Sequence, residues 1–178
     1  MDISISSDWT LFLDRDGVIN ERILGDYVKN ISEFHFREGA LEAIKGFMPL
    51  FQYIFVVTNQ QGIGKGIMTE GNLRDVHSYM IDQVTRMGGK IDKCYHAPDL
   101  AGEDNLLRKP KPGMALLAAK EFSGINFSRS LMVGDSDSDI VFGKNLGMKT
   151  VRIKTVEPIG VEADWTCNSL LDLYKCIR

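Results

Sequence analysis

Asp14 and Asp16 stand two residues apart, after the apolar run Thr10-Leu11-Phe12-Leu13 and just before Gly17, whose missing side chain keeps the backbone clear behind the pair. Side chains at that spacing in an extended chain point the same way, and neighbouring carboxylates repel unless a cation lies between them or one holds a proton. Asp135, after the run Ser130-Leu131-Met132-Val133-Gly134, supplies a third acid. An all-oxygen set with no histidine nearby suits a hard cation, and Mg²⁺ held by one or two carboxylates plus substrate phosphate oxygens fits best. Thr58 and Asn59 close a third run, Tyr53-Ile54-Phe55-Val56-Val57, and Arg108, Lys109 and Lys111 add positive charge. Such a set is equipped for phosphoryl transfer, where the protein mainly positions groups and neutralises charge on the equatorial oxygens. A carboxylate can attack phosphorus to give an aspartyl-phosphate, and a second acid can protonate the leaving alcohol and then activate water. A single Asp after a strand is ordinarily a turn former; several on one sheet edge point to a shared site.

The elements that would position these groups are legible as an alternation. The three apolar runs, with Lys149-Thr150-Val151-Arg152-Ile153 as a fourth, are short and continuous, as in strands buried on both faces of a parallel sheet. Between them, Thr69 can cap a helix carrying Leu73, Val76, Met80, Val84 and Met87, closed by Gly88-Gly89. Pro112 can start another, with Met114, Leu116, Leu117 and Phe122 before Gly124. Weaker helical patterns cover 37–47, 137–146 and 169–177. Strand–helix alternation implies an α/β fold with right-handed crossovers, in which ligands bind beyond the carboxyl ends of the strands. Asp14, Asp16, Thr58, Asn59 and Asp135 all fall there.

Asp14-Arg15-Asp16-Gly17-Val18-Ile19-Asn20, Val56-Val57-Thr58-Asn59-Gln60, Arg108-Lys109-Pro110-Lys111-Pro112-Gly113 and Gly134-Asp135-Ser136-Asp137-Ser138-Asp139 occur in that order. In these four motifs the chain resembles the haloacid dehalogenase superfamily. Within it, the chain is most similar to the D-glycero-D-manno-heptose 1,7-bisphosphate phosphatases and the histidinol-phosphate phosphatases, down to Ala163-Asp164-Trp165 and Asn168-Ser169-Leu170. The resemblance implies a Rossmann-like three-layer sandwich around a central parallel sheet, one domain over residues 1–178, without a large cap domain. It implies Asp14 as nucleophile and Asp16 as general acid and base. Mg²⁺ would bind Asp14, the backbone carbonyl of Asp16, and Asp135. Thr58 and Lys109 would hold the phosphoryl group, with Asn59 and Gln60 beside them and Arg108 touching the substrate. Asp139 would support a neighbouring ligand or lysine from behind, while Asp137 reads as a helix-start charge. The stretch from Asn20 to Phe36 is too short for a cap and is expected to form a flap, with Gly25, Asp26 and Tyr27 near the substrate.

The chain also departs from those relatives, which often carry a zinc clip, Cys-x-His followed by Cys-x-Cys-Arg-Lys-Pro. Cys94 and His96 are present, but Asn105 and Leu107 replace the second pair, and structural zinc requires four nitrogen or sulfur ligands. Zinc is therefore not expected. The short connection from His96 to Asn105 is nearer the histidinol-phosphate type, whereas Gly17-Val18-Ile19-Asn20 and Lys111-Pro112-Gly113-Met114 resemble the heptose branch. Gly62-Ile63-Gly64-Lys65-Gly66 does not match a P-loop, because Gly66 follows the lysine. It reads better as a substrate loop with Lys65 near a distal phosphate. His35 and His77 read as surface or packing residues.

Composition limits the function classes. Lys and Arg number 21 against 24 Asp and Glu, a net charge of −3 and a pI near 5.6. That balance disfavours nucleic acid or an anionic membrane as the main partner. Three cysteines form no disulfide framework, the N-terminus lacks signal-peptide character, and no apolar run approaches the ~20 residues of a membrane span. The expectation is a cytoplasmic monomer: a Mg²⁺-dependent phosphomonoesterase acting on a small phosphorylated metabolite, with the 7-phosphate of a heptose 1,7-bisphosphate leading. Histidinol phosphate is the alternative substrate. A 3′-phosphatase of nucleic-acid ends and a phosphate-binding protein without turnover are further alternatives.

Overall fold

The structure is a computed structural model describing residues 3–102 and 105–177. Six strands form one parallel sheet: β1 (Thr10–Leu13), β2 (Tyr53–Asn59), β3 (Lys93–Ala97), β4 (Ser130–Gly134), β5 (Lys149–Ile153) and β6 (Trp165–Cys167). Their spatial order is β3-β2-β1-β4-β5-β6. The chain therefore grows outward from β1 to β3, then restarts on the other side of β1 at β4. The crevice where the order reverses, above the carboxyl ends of β1 and β4, is where such sheets bind ligands.

Alternate side chains go to opposite faces. Leu11, Leu13, Ile54, Val56, Leu131 and Val133 pack in one core with helices α1 (Ala40–Phe47), α2 (Glu70–Arg86) and α5 (Leu170–Cys176). Phe12, Phe55, Val57 and Met132 pack in the other with Met114, Ala118 and Phe142, from α3 (Gly113–Glu121) and α4 (Asp137–Asn145). These two cores are the interfaces between the layers of a three-layer sandwich, with the sheet in the middle. Each fully buried large apolar side chain contributes about 1.5–3 kcal/mol relative to exposure, and a one-residue slip would turn every one of them to the wrong face. The register is thereby locked with Leu13 level with Val56 and Val133. That places Asp14, Thr58 and Asp135 within two residues of one another along the sheet axis.

The helix starts follow local chemistry. Thr69 and Asn72 form a reciprocal capping box at the head of α2, and Gly88 follows its end with φ +83. Two strands, β3 and β6, lie at the sheet edges and carry no apolar run, so their sequences Lys-Cys-Tyr-His-Ala and Trp-Thr-Cys give little strand signal. Between Asp14 and β2 the described chain holds only a 3-10 turn at Ile31–Glu33 and α1. Residues 20–36 form the expected flap instead of a cap, held at its base by backbone bridges Asp16–Asn20 and Asn20–Phe36.

Candidate active site

At the crevice lies a cavity of about 190 Å³ lined by Asp14, Asp16, Thr58, Asn59, Arg108, Lys109 and Asp139, with Asp26 and Tyr27 from the flap. This is smaller than the roughly 300–1,000 Å³ of pockets that enclose a whole ligand. It can take a phosphoryl end while the remainder of a substrate lies along the flap.

Three carboxylates meet at its floor: one oxygen from each of Asp14, Asp135 and Asp139 lies within 4.8 Å of the others, and all three residues are buried. Two glycines permit that approach. A Cβ on Gly17, whose φ is +89, would fall 2.2 Å from Asp135 Oδ2, and one on Gly134 would fall 2.1 Å from Asp139 Cβ. Lys109 is the buried cation of the group. Its Nζ donates to Asp14 Oδ1 at 2.7 Å and to the Val57 carbonyl at 2.7 Å, and it pairs with Asp139. Its backbone is clasped at two points by the Asn59 side chain, which accepts from Lys109 N at 3.0 Å and donates to Lys109 O at 3.1 Å. Arg22 reaches over from the flap to Asp135 Oδ2 at 3.1 Å and Glu157 at 2.7 Å.

The charge at this corner does not balance. Burial pushes the Asp14 carboxyl up to about 7; Lys109 opposes the rise, and Asp139 and Asp135 add to it. Burial, with Asp139, likewise pushes Asp135 up to about 6 against Arg22 and Lys109. Burial works against the Lys109 charge, but Asp139 and Asp14 outweigh it and raise its pKa. Asp135 Oδ1 is buried with no hydrogen-bond partner. Three oxygen donors, an orphaned carboxylate oxygen and too little positive charge fit a divalent hard cation.

Asp16 lies outside that cluster. The strand ends at Leu13, and the Arg15 carbonyl accepts from the backbone N–H groups of Val18, Ile19 and Asn20, so the chain turns and the two-residue spacing no longer aligns the side chains. The Asp16 carboxylate accepts from Arg15, from Asn20 at 2.9 Å and from Gln60 at 2.9 Å. Burial alone would raise its pKa; the Arg15 guanidinium and these donors hold it below the usual carboxylate range. The third place beside Asp14 and Asp135 belongs to Asp139. Its other oxygen accepts from Ser136 N at 3.0 Å and Ser136 Oγ at 2.7 Å at the head of α4.

The remaining expected residues divide. Thr58, Asn59, Arg108, Asp26 and Tyr27 line the cavity; Gln60 and Gly25 do not. Gln60 is fully buried behind Thr58 and Asp16 because Thr58 and Gln60, two apart in extended chain, turn inward together. Gly25 is at the exposed tip of the flap with φ +75. Lys65 donates to the Tyr27 hydroxyl at 3.0 Å, pinning the glycine-rich loop to the flap. Arg108 donates to the Asp99 carbonyl at 3.0 Å. Asp137, in the first turn of α4, also pairs with Arg152 and accepts from Gly160 N and Val161 N. In the altered clip, His96 pairs with Glu70 at 2.9 Å, Asn105 donates to Asp99 at 2.6 Å, and Leu107 packs against the second core. Arg22, Gln61, Ser136 and Ser138 also line the cavity. Only Ser136 had a sequence signal, the Ser-x-x-Asp pattern of a helix start.

Comparison with known proteins extends this picture. A family profile described as HAD-hydrolase-like matches residues 106–170. The D-glycero-beta-D-manno-heptose-1,7-bisphosphate 7-phosphatase of Helicobacter pylori strain J99 is 34% identical over 179 residues, covering 98% of this chain and 99% of its own. The D-glycero-alpha-D-manno-heptose-1,7-bisphosphate 7-phosphatase of Campylobacter jejuni is 40% identical over 141 residues, 79% of each chain. The chain belongs to the haloacid dehalogenase-like phosphatases. The D,D-heptose 1,7-bisphosphate phosphatase of B. bronchiseptica superposes with a TM-score of 0.83 at 25% identity, covering 93% of this chain and 96% of that one; it was crystallised with magnesium and phosphate. As a member of this family the protein is a phosphoric monoester hydrolase, and its acidic corner is compatible with magnesium.

Proposed function

We propose that the protein removes the 7-phosphate of a D-glycero-D-manno-heptose 1,7-bisphosphate through an aspartyl-phosphate on Asp14. The observation that carries the chemistry is the buried corner of Asp14, Asp135, Asp139 and Lys109. The substrate rests on likeness over nearly the whole chain to enzymes named for it. Asp14, Asp135 and the Asp16 carbonyl would hold Mg²⁺, with Asp139 beside them. When bound, the ion supplies the positive charge that this corner lacks, for Asp14 and for the phosphoryl oxygens.

The chain's own groups do the rest. Lys109 and the Thr58 hydroxyl hold the phosphoryl oxygens, and Asn59 fixes Lys109 through its backbone. Asp14 attacks phosphorus as the bond to the leaving oxygen breaks, and Asp16, having first taken a proton from solvent, gives that proton to the leaving oxygen. Asp16 then takes a proton from water, whose oxygen attacks phosphorus and frees Asp14. Arg108, Asp26 and Tyr27 face the sugar from the cavity rim, with Lys65 behind Tyr27. The enzyme acts on a soluble metabolite as a monomer in the cytoplasm, a reading supported by its acidic balance and three free thiols.

The test is phosphate release from both anomers of the heptose bisphosphate, histidinol phosphate and a 3′-phosphorylated oligonucleotide, with Mg²⁺ and with chelator. A heptose anomer should lead in kcat/KM, and chelation should abolish turnover. A lead by histidinol phosphate or by the oligonucleotide would overturn the substrate.

A further inference from the structure

Gln60 is fully buried and does not line the cavity, yet it touches two groups that do. Its Nε2 donates to Asp16 Oδ2 at 2.9 Å and to Thr58 Oγ1 at 2.8 Å. An amide nitrogen carries two hydrogens, and these bonds use both. Both Asp16 oxygens already accept from Arg15, and Oδ1 from Asn20 as well, so the nitrogen is the end of the amide that faces Asp16. The amide oxygen is then left buried with no partner. A side chain kept for packing alone would not leave a buried carbonyl unpaired, because an apolar residue of the same shape avoids that cost. The bond to Thr58 also sets its polarity. Since the hydroxyl oxygen accepts from Gln60, its own hydrogen is left for an acceptor in the cavity, where a phosphoryl oxygen would sit.

We propose that Gln60 is a positioning residue that yokes the acid Asp16 to the phosphoryl donor Thr58. Proton delivery to the leaving oxygen is thereby aligned with the phosphoryl group held at Thr58. The inference rests on the roles given above to Asp16 and Thr58. In the step concerned, Asp16 has first taken a proton from solvent; Asp14 oxygen then bonds to phosphorus, the bond from phosphorus to the leaving oxygen breaks, and that proton passes to the leaving oxygen, so the alcohol departs neutral. Asp16 keeps its contacts to Arg15 and Asn20 without Gln60, but loses the one that ties it to the phosphoryl end of the site.

A leaving group that departs as a stable anion needs no such proton, and this gives the test. kcat/KM is measured for p-nitrophenyl phosphate and for the sugar phosphate that a substrate panel ranks first, with wild type, Gln60→Met and Asp16→Asn. kcat/KM covers only steps through departure of the leaving group, so later hydrolysis of the phospho-enzyme does not enter it. Gln60→Met should lower kcat/KM for the sugar phosphate about 10–100-fold, and for p-nitrophenyl phosphate less than about threefold. Asp16→Asn should show the same split more strongly, by about 10²–10⁴-fold on the sugar phosphate. The ratio between substrates, taken on one preparation, does not depend on how much of the variant is folded. Equal losses on both substrates in Gln60→Met, or no loss on either, would overturn the role of Gln60. If Asp16→Asn splits the substrates and Gln60→Met does not, only this inference falls. If Asp16→Asn itself shows no split, the acid assignment falls and takes the inference with it.

Discussion

Asp14 and Asp16 are two residues apart and sit in opposite surroundings. Asp14 shares a buried corner with two further carboxylates, Asp135 and Asp139, and one lysine, and its carboxyl is pushed up to about 7. Asp16 faces a buried guanidinium and two amide donors, and its carboxyl is held below the usual range. The first corner is short of positive charge and is completed only by a cation from outside. The second is satisfied by the protein itself. On the proposed mechanism, one stretch of chain thus separates a metal-dependent attacking group from a metal-independent proton carrier. It does so by ending the strand at Leu13 and turning at Arg15.

That contrast can be broken from either side. Asp14→Asn removes the attacking oxygen and should abolish turnover on every substrate, a loss of about 10⁴-fold or more in kcat, whatever the leaving group. Asp16→Asn should not share that indifference, as described above. Phosphate release from activated and unactivated esters by the two variants distinguishes them, and a leaving-group dependence in the Asp14 variant would erase the contrast.

Lys109→Met takes the buried cation from the acidic corner. Breaking a buried ion pair by deleting one partner costs about 3–5 kcal/mol, and here Asp14 and Asp139 are both left. The metal-free variant should lose about that much in urea unfolding and regain much of it with Mg²⁺. Substitution on the Asp16 side should show no such rescue by the ion. A variant as stable as wild type without metal would mean that the corner is not short of charge.

Proton linkage sharpens the comparison further. In the metal-free protein Asp14 and Asp135 hold protons up to about 7 and about 6, above their ordinary value of 3.8. Their folded pKa values exceed the unfolded ones, so their contribution to stability is full below the unfolded value and is lost as pH rises through about 6 and then about 7. Mg²⁺ must displace those protons, so its affinity should rise with pH through the same window and level off above it. Asp16, whose carboxyl is held below the usual range, should add nothing. Calorimetric titration of Mg²⁺ in two buffers of different ionisation enthalpy counts the protons released. A count of zero near pH 6.5, about the middle of that window, would contradict the imbalance.

The sequence carried more of the frame than of the finer geometry. β1, β2, β4 and β5 were legible because central parallel strands are buried on both faces and read as apolar runs. β3 and β6 were not, since as edge strands they alternate polar residues such as Lys93, His96 and Thr166 with buried ones. Asp14, Thr58 and Asp135 were legible because each follows such a run. Asp139 joins Asp14 through the first turn of α4, where the resemblance implied only support from behind. Asp16 departs from the alternation rule because the strand has already ended, and Gln60 turns inward because it keeps the alternation of Thr58. Arg22 lies in an irregular flap, where no period predicts its reach to Asp135.

The most direct test of the account is to quench the enzyme in acid during turnover, reduce it with borohydride and map the modified residue by peptide mass spectrometry. The account predicts a phosphoryl adduct on the peptide holding Asp14, converted to homoserine at position 14 and absent from Asp14→Asn. An adduct on another residue, or none under conditions where phosphate is being released, would contradict it.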